Sequence, residues 1–92
     1  MMEESARQLT INNELSRYIA DEILKDSARI VKNDEPLISS GLIDSFSLVD
    51  LALYVEDTYG VRIEDTELTS VVFDTVEQLA ELISRRRAGE VE

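Results

Sequence analysis

The chain has 92 residues, and its 20 acidic and 9 basic side chains give a formal charge of -11. Cysteine and histidine are absent, which excludes disulfides, CxxC redox sites, cysteine nucleophiles, Ser-His-Asp triads and most zinc sites. The length supports one small domain, and the acidic balance argues against nucleic acid and anionic membranes, because both bind clustered Lys and Arg.

The acidic side chains are concentrated in the middle of the chain. Residues 33–83 hold 12 acidic groups and 1 basic group, a net charge of -11, whereas the two ends nearly balance. Such a region is either a solvated acidic surface or a docking face for basic partners. No apolar run approaches the ~20 residues of a membrane span, and the polar start lacks a signal-peptide core, so we expect a cytoplasmic protein.

A first helix is predicted from an apolar stripe, with Thr10 as its N-cap. The stripe follows the spacing i, i+4, i+7, i+8, i+12 and consists of Ile11, Leu15, Tyr18, Ile19 and Ile23. Residues 26–44 lack a sustained period and contain Pro36 and Gly41, so they are predicted to form a long loop, a feature that is often functional. Apolar side chains should pin this loop to the core: Ile30, Val31, Leu37, Ile38 and Leu42.

A second helix is predicted from its N-cap Asp44 through Tyr59, with Gly60 ending it. One side carries a core stripe of Leu48, Leu51, Ala52, Val55 and Tyr59. The opposite side carries Phe46, Val49 and Leu53, with Asp50 and Asp57 beside them. Because a small bundle cannot easily bury both sides of one helix, this second side is either a contact site for a partner or is covered by the long loop.

A short helix around residues 66–71 and a third main helix complete the predicted fold. Thr75 and Gln78 have the T-x-x-Q form of a capping box, and the helix that they start should bury Val76, Leu79, Ala80 and Ile83. Arg85–Arg87 close this helix where its dipole favours cations, and the tail from Ala88 should fray. The fold class is therefore predicted to be all-α, a small four-helix bundle of three main helices and one short helix.

Three separated segments occur in an order that resembles the acyl carrier protein family, which includes the peptidyl and aminoacyl carriers. They are PLISSGLIDSF at residues 36–46, EDTYGVRI at 56–63 and FDTVEQL at 73–79. The resemblance extends from Ile11 to Ile83. It implies a carrier domain at residues 10–84, preceded by a flexible segment at 1–9 and followed by a C-terminal tail at 85–92.

The resemblance implies that Ser45 is the attachment point of 4′-phosphopantetheine, with Asp44 as the adjacent helix cap. A serine at the first turn of a helix can present its hydroxyl to a modifying enzyme, and the helix dipole favours a phosphodiester there. The prosthetic arm would hold an acyl or aminoacyl group as a thioester, on a chain that is itself a non-catalytic monomer. The implied partner surface maps by position to Asp44, Phe46, Val49, Asp50, Leu53, Glu56 and Asp57.

The implied partners are a phosphopantetheinyl transferase, a ligase that loads the arm, and downstream synthases or transferases. Phe46 stands where Leu or Ile is more usual, Ser47 and Leu48 follow where fatty-acid carriers often place an acidic residue, and Tyr54 adds an aromatic ring on the exposed side. We therefore expect a free-standing carrier for a specialised pathway of fatty-acid, polyketide or nonribosomal-peptide type. The alternatives are an aminoacyl, D-alanyl or peptidyl-type carrier, and an unmodified helical interaction module.

Adjacent carboxylates offer a further alternative, a small enzyme that uses Asp34 with Glu35 or Glu64 with Asp65. Both pairs lie on predicted loops without a histidine to assist them, and a solvated loop explains them better. They also lack the spacing of an EF-hand. No catalytic residue and no metal site are therefore expected.

Overall fold

The computed structural model describes residues 2–87, with side chains from residue 10 onward. Its elements are three α-helices, a π-helical turn and a 3-10 turn. In chain order they are α1 (Met2–Tyr18), the π turn (Ile19–Ile23), α2 (Ser45–Tyr59), the 3-10 turn (Asp65–Glu67) and α3 (Val76–Arg87). Residues 2–87 contain no strand, so the predicted all-α class is confirmed. The predicted short fourth helix is present only as a three-residue 3-10 turn.

The start of α1 differs from the prediction. Thr10 is not an N-cap, since the backbone is already helical from Met2. The residues before Thr10 are mostly good helix formers, so no local signal in the sequence makes the helix begin at Thr10. The apolar stripe predicted for this helix points inward, with Ile11, Leu15 and Ile19 buried.

After α1, the chain forms the wider π-helical turn and then ends its helical path. The N–H of Leu24 donates to the Ile19 carbonyl (2.8 Å), and the N–H of Asp26 donates to the Ala20 carbonyl (2.8 Å). Lys25 lies between them with φ 57, in the left-handed region that commonly ends a helix. The predicted loop therefore begins where the sequence periodicity fades.

The long loop is attached to the core by three buried side chains, Val31, Leu37 and Ile43. Ile38 and Leu42 pack against the core while remaining partly exposed. The prediction that Ile30 pins the loop is wrong, because its side chain is 80% exposed. In this non-helical stretch only one of two neighbouring side chains turns inward, and Val31 takes that place.

The core joins all three helices and the loop. The α2 stripe buries Leu48, Leu51 and Val55, with Ala52 and Tyr59 packed partly against them. The α3 stripe buries the four residues predicted for it, together with Leu82 and the preceding Phe73. Each helix therefore uses one apolar side to build the core.

The predicted exposure of Tyr54 is wrong. Its ring stacks on Tyr18 with centroids 4.0 Å apart and packs edge-on against Tyr59 at 6.1 Å. The hydroxyl of Tyr59 donates to Glu14 Oε1 (2.6 Å). These contacts join the end of α1 to the second half of α2, because aromatic pairs in such arrangements are attractive beyond their buried area.

The capping contacts of α3 are shifted by one residue from the predicted box. The Gln78 N–H donates to Thr75 Oγ1 (3.1 Å), as expected, but Gln78 Oε1 accepts from the N–H of Asp74 (2.7 Å) rather than from Thr75. At the other end, α3 reaches Arg87 and has Arg85, Arg86 and Arg87 in its last turn, as predicted. The predicted fraying from Ala88 lies outside the described residues.

Arg86 ties the end of α3 to the 3-10 turn. Its guanidinium forms an ion pair with the Glu67 carboxylate, to which both Nη1 and Nη2 donate. Nη1 also donates to the Arg62 carbonyl (2.9 Å). The N–H of Glu64 donates to Glu67 Oε1 (2.9 Å). The Glu67 side chain therefore caps the start of the 3-10 turn and also binds Arg86. These contacts attach the C-terminal end of α3 to the 3-10 turn and to the segment before it.

Candidate functional site

The junction between the long loop and α2 has the geometry of a capped helix N-terminus. Asp44 is extended (φ -85, ψ 176), and its Oδ1 accepts from the Ser47 N–H (2.8 Å). The N–H of Leu48 donates to the Asp44 carbonyl (2.9 Å) and begins the helical pattern. The predicted N-cap is thus confirmed, and it makes Ser45 the first residue of α2.

The Ser45 hydroxyl is accessible from solvent. Ser45 is exposed, and its side chain makes no hydrogen bond to the rest of the described chain. It lies on the first turn of α2, where unpaired backbone N–H groups and the helix dipole favour a negatively charged substituent. The residues present therefore fit a phosphate ester on this oxygen.

Asp44 is held as a carboxylate beside that hydroxyl. The pKa of Asp44 is lowered, chiefly because the Ser47 backbone N–H donates to it, with further contributions from the Ser47 side chain and the Phe46 N–H. A hydrogen bond to the charged form of an acid favours that form. The cap therefore stays engaged at neutral pH and fixes the direction of the first turn.

The second apolar side of α2 is open to solvent. Phe46 is 83% exposed, Val49 46% and Leu53 55%. Asp50, Glu56 and Asp57 are exposed on the same helix. The alternative in which the long loop covers this second side of α2 is wrong, because the three apolar side chains remain accessible. We call the six residues the α2 face.

The loop before Ser45 is held by Asp74, which lies two residues before the start of α3. Asp74 Oδ1 accepts from the N–H groups of Ile38 (2.7 Å) and Ser39 (2.9 Å), and its Oδ2 accepts from the Ser39 hydroxyl (2.6 Å). The Asp74 carbonyl accepts from the Leu37 N–H (2.7 Å). Sequence reasoning did not assign a role to Asp74; the available signal was a carboxylate immediately before the Thr75 cap.

One carboxylate in each pair of the enzyme alternative has a structural partner. Glu35 forms an ion pair with Arg29 and accepts from the Lys32 N–H (3.2 Å). Glu64 accepts from Arg62 Nε (2.9 Å). Within the described residues, no three potential ligands come together to hold a metal ion. Nor does this part of the chain include a helix long and apolar enough to cross a membrane.

With the exposed serine, its cap and the bundle around them established, comparison with known proteins decides the family. Residues 13–83 match the model of the phosphopantetheine attachment site family. The chain belongs to this family of phosphopantetheine-binding carriers. Its cofactor is 4′-phosphopantetheine, attached covalently. The predicted family and cofactor are both confirmed.

A curated relative of the carrier is also similar over most of its length. The chain is 31% identical over 73 residues to the D-alanyl carrier protein of Bacillus pumilus (strain SAFR-032), a match that covers 79% of this chain and 87% of the relative. No solved structure matches. Since the matched region includes all of α2 and the part of α3 up to Ile83, the family assignment covers the site described above.

Proposed function

We propose that Ser45 carries the phosphopantetheine arm and that the chain is a non-catalytic carrier of an aminoacyl group. The observation that supports Ser45 is its exposed, unbonded hydroxyl on the first turn of α2, directly after the engaged cap Asp44. In the modification, Ser45 Oγ forms the new bond to phosphorus, the nucleotide half of CoA leaves, and a base of the transferase takes the hydroxyl proton. The arm, once attached, supplies the thiol that this cysteine-free chain lacks.

The cargo proposed is D-alanine or a similarly small amino acid. The support is the similarity to a protein named as a D-alanyl carrier, which extends over 87% of that protein. A specialised acyl cargo remains the alternative, because Phe46 and the residues after it depart from the pattern of fatty-acid carriers. In either case this chain contributes position and recognition, since tethering the cargo raises its effective concentration at each partner enzyme.

The α2 face is proposed as the surface that partner enzymes recognise. Its three apolar side chains lie among carboxylates, a combination that suits a partner with an apolar pocket and a basic rim. The transferase, a loading ligase and a downstream transferase would use it in turn. The carrier would act as a monomer in the cytoplasm.

The attachment site is tested by intact-protein mass spectrometry after incubation with a broad-specificity phosphopantetheinyl transferase and CoA. Wild type should gain the mass of one phosphopantetheine group, and Ser45→Ala should gain none. Ser47→Ala is the matched control, because it removes a hydroxyl two residues further along α2 and should still be modified. A gain that persists in Ser45→Ala would refute the assignment, and an unmodified wild type would favour the interaction-module alternative.

The cargo is tested on the modified protein with ATP and a ligase that activates D-alanine. The expected product carries one alanyl group that hydroxylamine releases, as it does for a thioester. A parallel reaction with a broad-specificity ligase for fatty acids provides the comparison. Loading by the fatty-acid ligase alone would overturn the aminoacyl proposal while leaving the carrier role intact.

The recognition surface is tested by charge reversal at Asp50 and Asp57. Each change to Lys should slow modification without lowering the thermal midpoint, because both side chains are exposed. Asp65→Lys, in the 3-10 turn, is the matched control away from the α2 face. Added salt should reduce the difference between wild type and the reversed variants, since it screens exposed charges; equal rates at low and high salt would contradict electrostatic recognition.

A further inference from the structure

One carboxylate outside the α2 face connects two parts of the fold that are distant in sequence. Asp74 precedes α3, yet its side chain accepts three hydrogen bonds from Ile38 and Ser39 of the long loop. Its backbone takes part as well, because its carbonyl accepts from Leu37 and its N–H donates to Gln78 Oε1 (2.7 Å). Asp74 therefore holds the loop on one side and the first turn of α3 on the other.

The loop segment that Asp74 holds leads directly to the cap of α2. The N–H of Ile43 donates back to the Leu37 carbonyl (3.0 Å), and the N–H of Gly41 donates to the Ile38 carbonyl (3.1 Å). Leu37 and Ile43 are both buried, so the two ends of this short turn are fixed in the core. Asp44 follows Ile43 immediately and sets the first turn of α2.

We propose that Asp74 is a positioning residue for the modification of Ser45. By holding residues 37–39 against the start of α3, it fixes the turn at 37–43 and therefore the direction in which α2 presents the Ser45 hydroxyl to the transferase. This inference rests on the proposed attachment at Ser45. Asp74 would act through the loop and would touch neither the arm nor the reacting oxygen.

The chemistry of Asp74 suits a permanent anchor. Burial raises the pKa of its carboxyl group, but the hydrogen bonds from the Ser39 hydroxyl and the loop N–H groups outweigh it, and the net pKa is lowered. The group is therefore a carboxylate at neutral pH. Hydrogen bonds to a charged acceptor are shorter and stronger than those between neutral groups, which favours one fixed loop conformation.

The test compares Asp74→Ala, which removes all three side-chain acceptor contacts, with Asp74→Asn, which keeps an oxygen able to accept from the loop N–H groups. The transferase rate is measured on each protein with the folded fraction established by circular dichroism. We expect Asp74→Ala to lower kcat for modification by about tenfold to a hundredfold, because small misplacements of a reacting group have effects of this size. Asp74→Asn should restore a large part of that loss.

Two control variants separate positioning from charge and from stability. Glu77→Gln removes a carboxylate from the exposed first turn of α3, three residues away, and should be modified at the wild-type rate. Ile83→Val weakens the core of α3 without removing a hydrogen bond of the loop, and its folded fraction should also be modified at the wild-type rate. Ser39→Ala should lower the rate less than Asp74→Ala, and the two effects should not add, because both changes break the same contact.

A second measurement does not depend on the transferase. Amide hydrogen exchange in the unmodified protein should accelerate at Leu37, Ile38 and Ile43 in Asp74→Ala, while the amides of α3 beyond its first turn keep their protection. If wild type is modified at Ser45 but Asp74→Ala is modified at the wild-type rate per folded molecule, the positioning role is refuted and the carrier role stands. If wild type is not modified at Ser45, the proposed function fails first.

Discussion

Two leucines on α2 provide a direct test of which side of this helix is core and which is docking surface. Leu51 is 1% exposed and belongs to the core, whereas Leu53 is 55% exposed on the α2 face. Changing each to Ala removes the same three carbon atoms from the same helix. The helix propensity change is also identical, so the two variants differ only in what surrounds the side chain.

The expected free energies follow from burial. At about 0.8 kcal/mol per buried CH₂, the three carbons of Leu51 account for about 2.4 kcal/mol of transfer free energy, and the cavity left behind brings the loss to about 2–5 kcal/mol. Leu53 buries less than half of its surface, so Leu53→Ala should lower the free energy of unfolding by about 1 kcal/mol or less. A difference of about 2 kcal/mol corresponds to roughly 8 °C or more in the thermal midpoint of so small a domain.

Urea denaturation followed by circular dichroism at the helical band measures both variants, and the transferase assay is run on the same samples. Leu51→Ala should lower the urea midpoint with an unchanged m-value, while its folded fraction is modified at the normal rate. Leu53→Ala should show the reverse pattern, with a near-normal midpoint and slower modification. Equal midpoints for the two variants would refute the assignment of the two sides of α2.

Three further predictions concern stability. Gly60 ends α2 with φ 71 and has nothing within 4 Å of an added Cβ, so Gly60→Ala should lower the unfolding free energy by about 1 kcal/mol through backbone strain alone, as measured in urea. Arg86→Ala removes the ion pair with Glu67 and should lower it by about 1 kcal/mol, with a smaller effect in high salt. The pKa values of Asp44 and Asp74 are lowered on folding, so their contribution is present above the unfolded pKa of about 4 and is lost as pH falls through the folded pKa. Asp74→Asn should therefore flatten the decline of the urea midpoint between neutral pH and the acidic range.

The sequence predicts α2 and its site well because the signals there are local. An aspartate cap, an apolar stripe at helical spacing and a glycine past the last turn each act within a few residues, and the structure has all three. The sequence left open whether a partner or the long loop covers the second side of α2, because that choice depends on the path of the loop; the structure leaves this side exposed. One of the two capping contacts of α3 is displaced by one residue, because the Gln78 side chain can reach either of two neighbouring N–H groups.

The errors arise where the outcome depends on contacts between distant segments. Tyr54 lies on the border of the two α2 sides, and only the presence of Tyr18 on α1 decides that its ring packs inward. Ile30 and Val31 have equal hydropathy signals, and the path of the loop selects Val31. Asp74 and Ser39 are 35 residues apart, so no local pattern joins them.

The aromatic cluster has a practical consequence for experiments on this protein. The chain has 3 tyrosines and no tryptophan, and all of the tyrosines lie in the cluster of Tyr18, Tyr54 and Tyr59. Tyrosine fluorescence and the tyrosine band of the near-ultraviolet spectrum therefore report on a single place, the junction of α1 with the second half of α2. The modification site at the other end of α2 has no tyrosine, so tyrosine fluorescence follows loosening of the bundle while intact mass follows loading of the arm, both on one label-free sample.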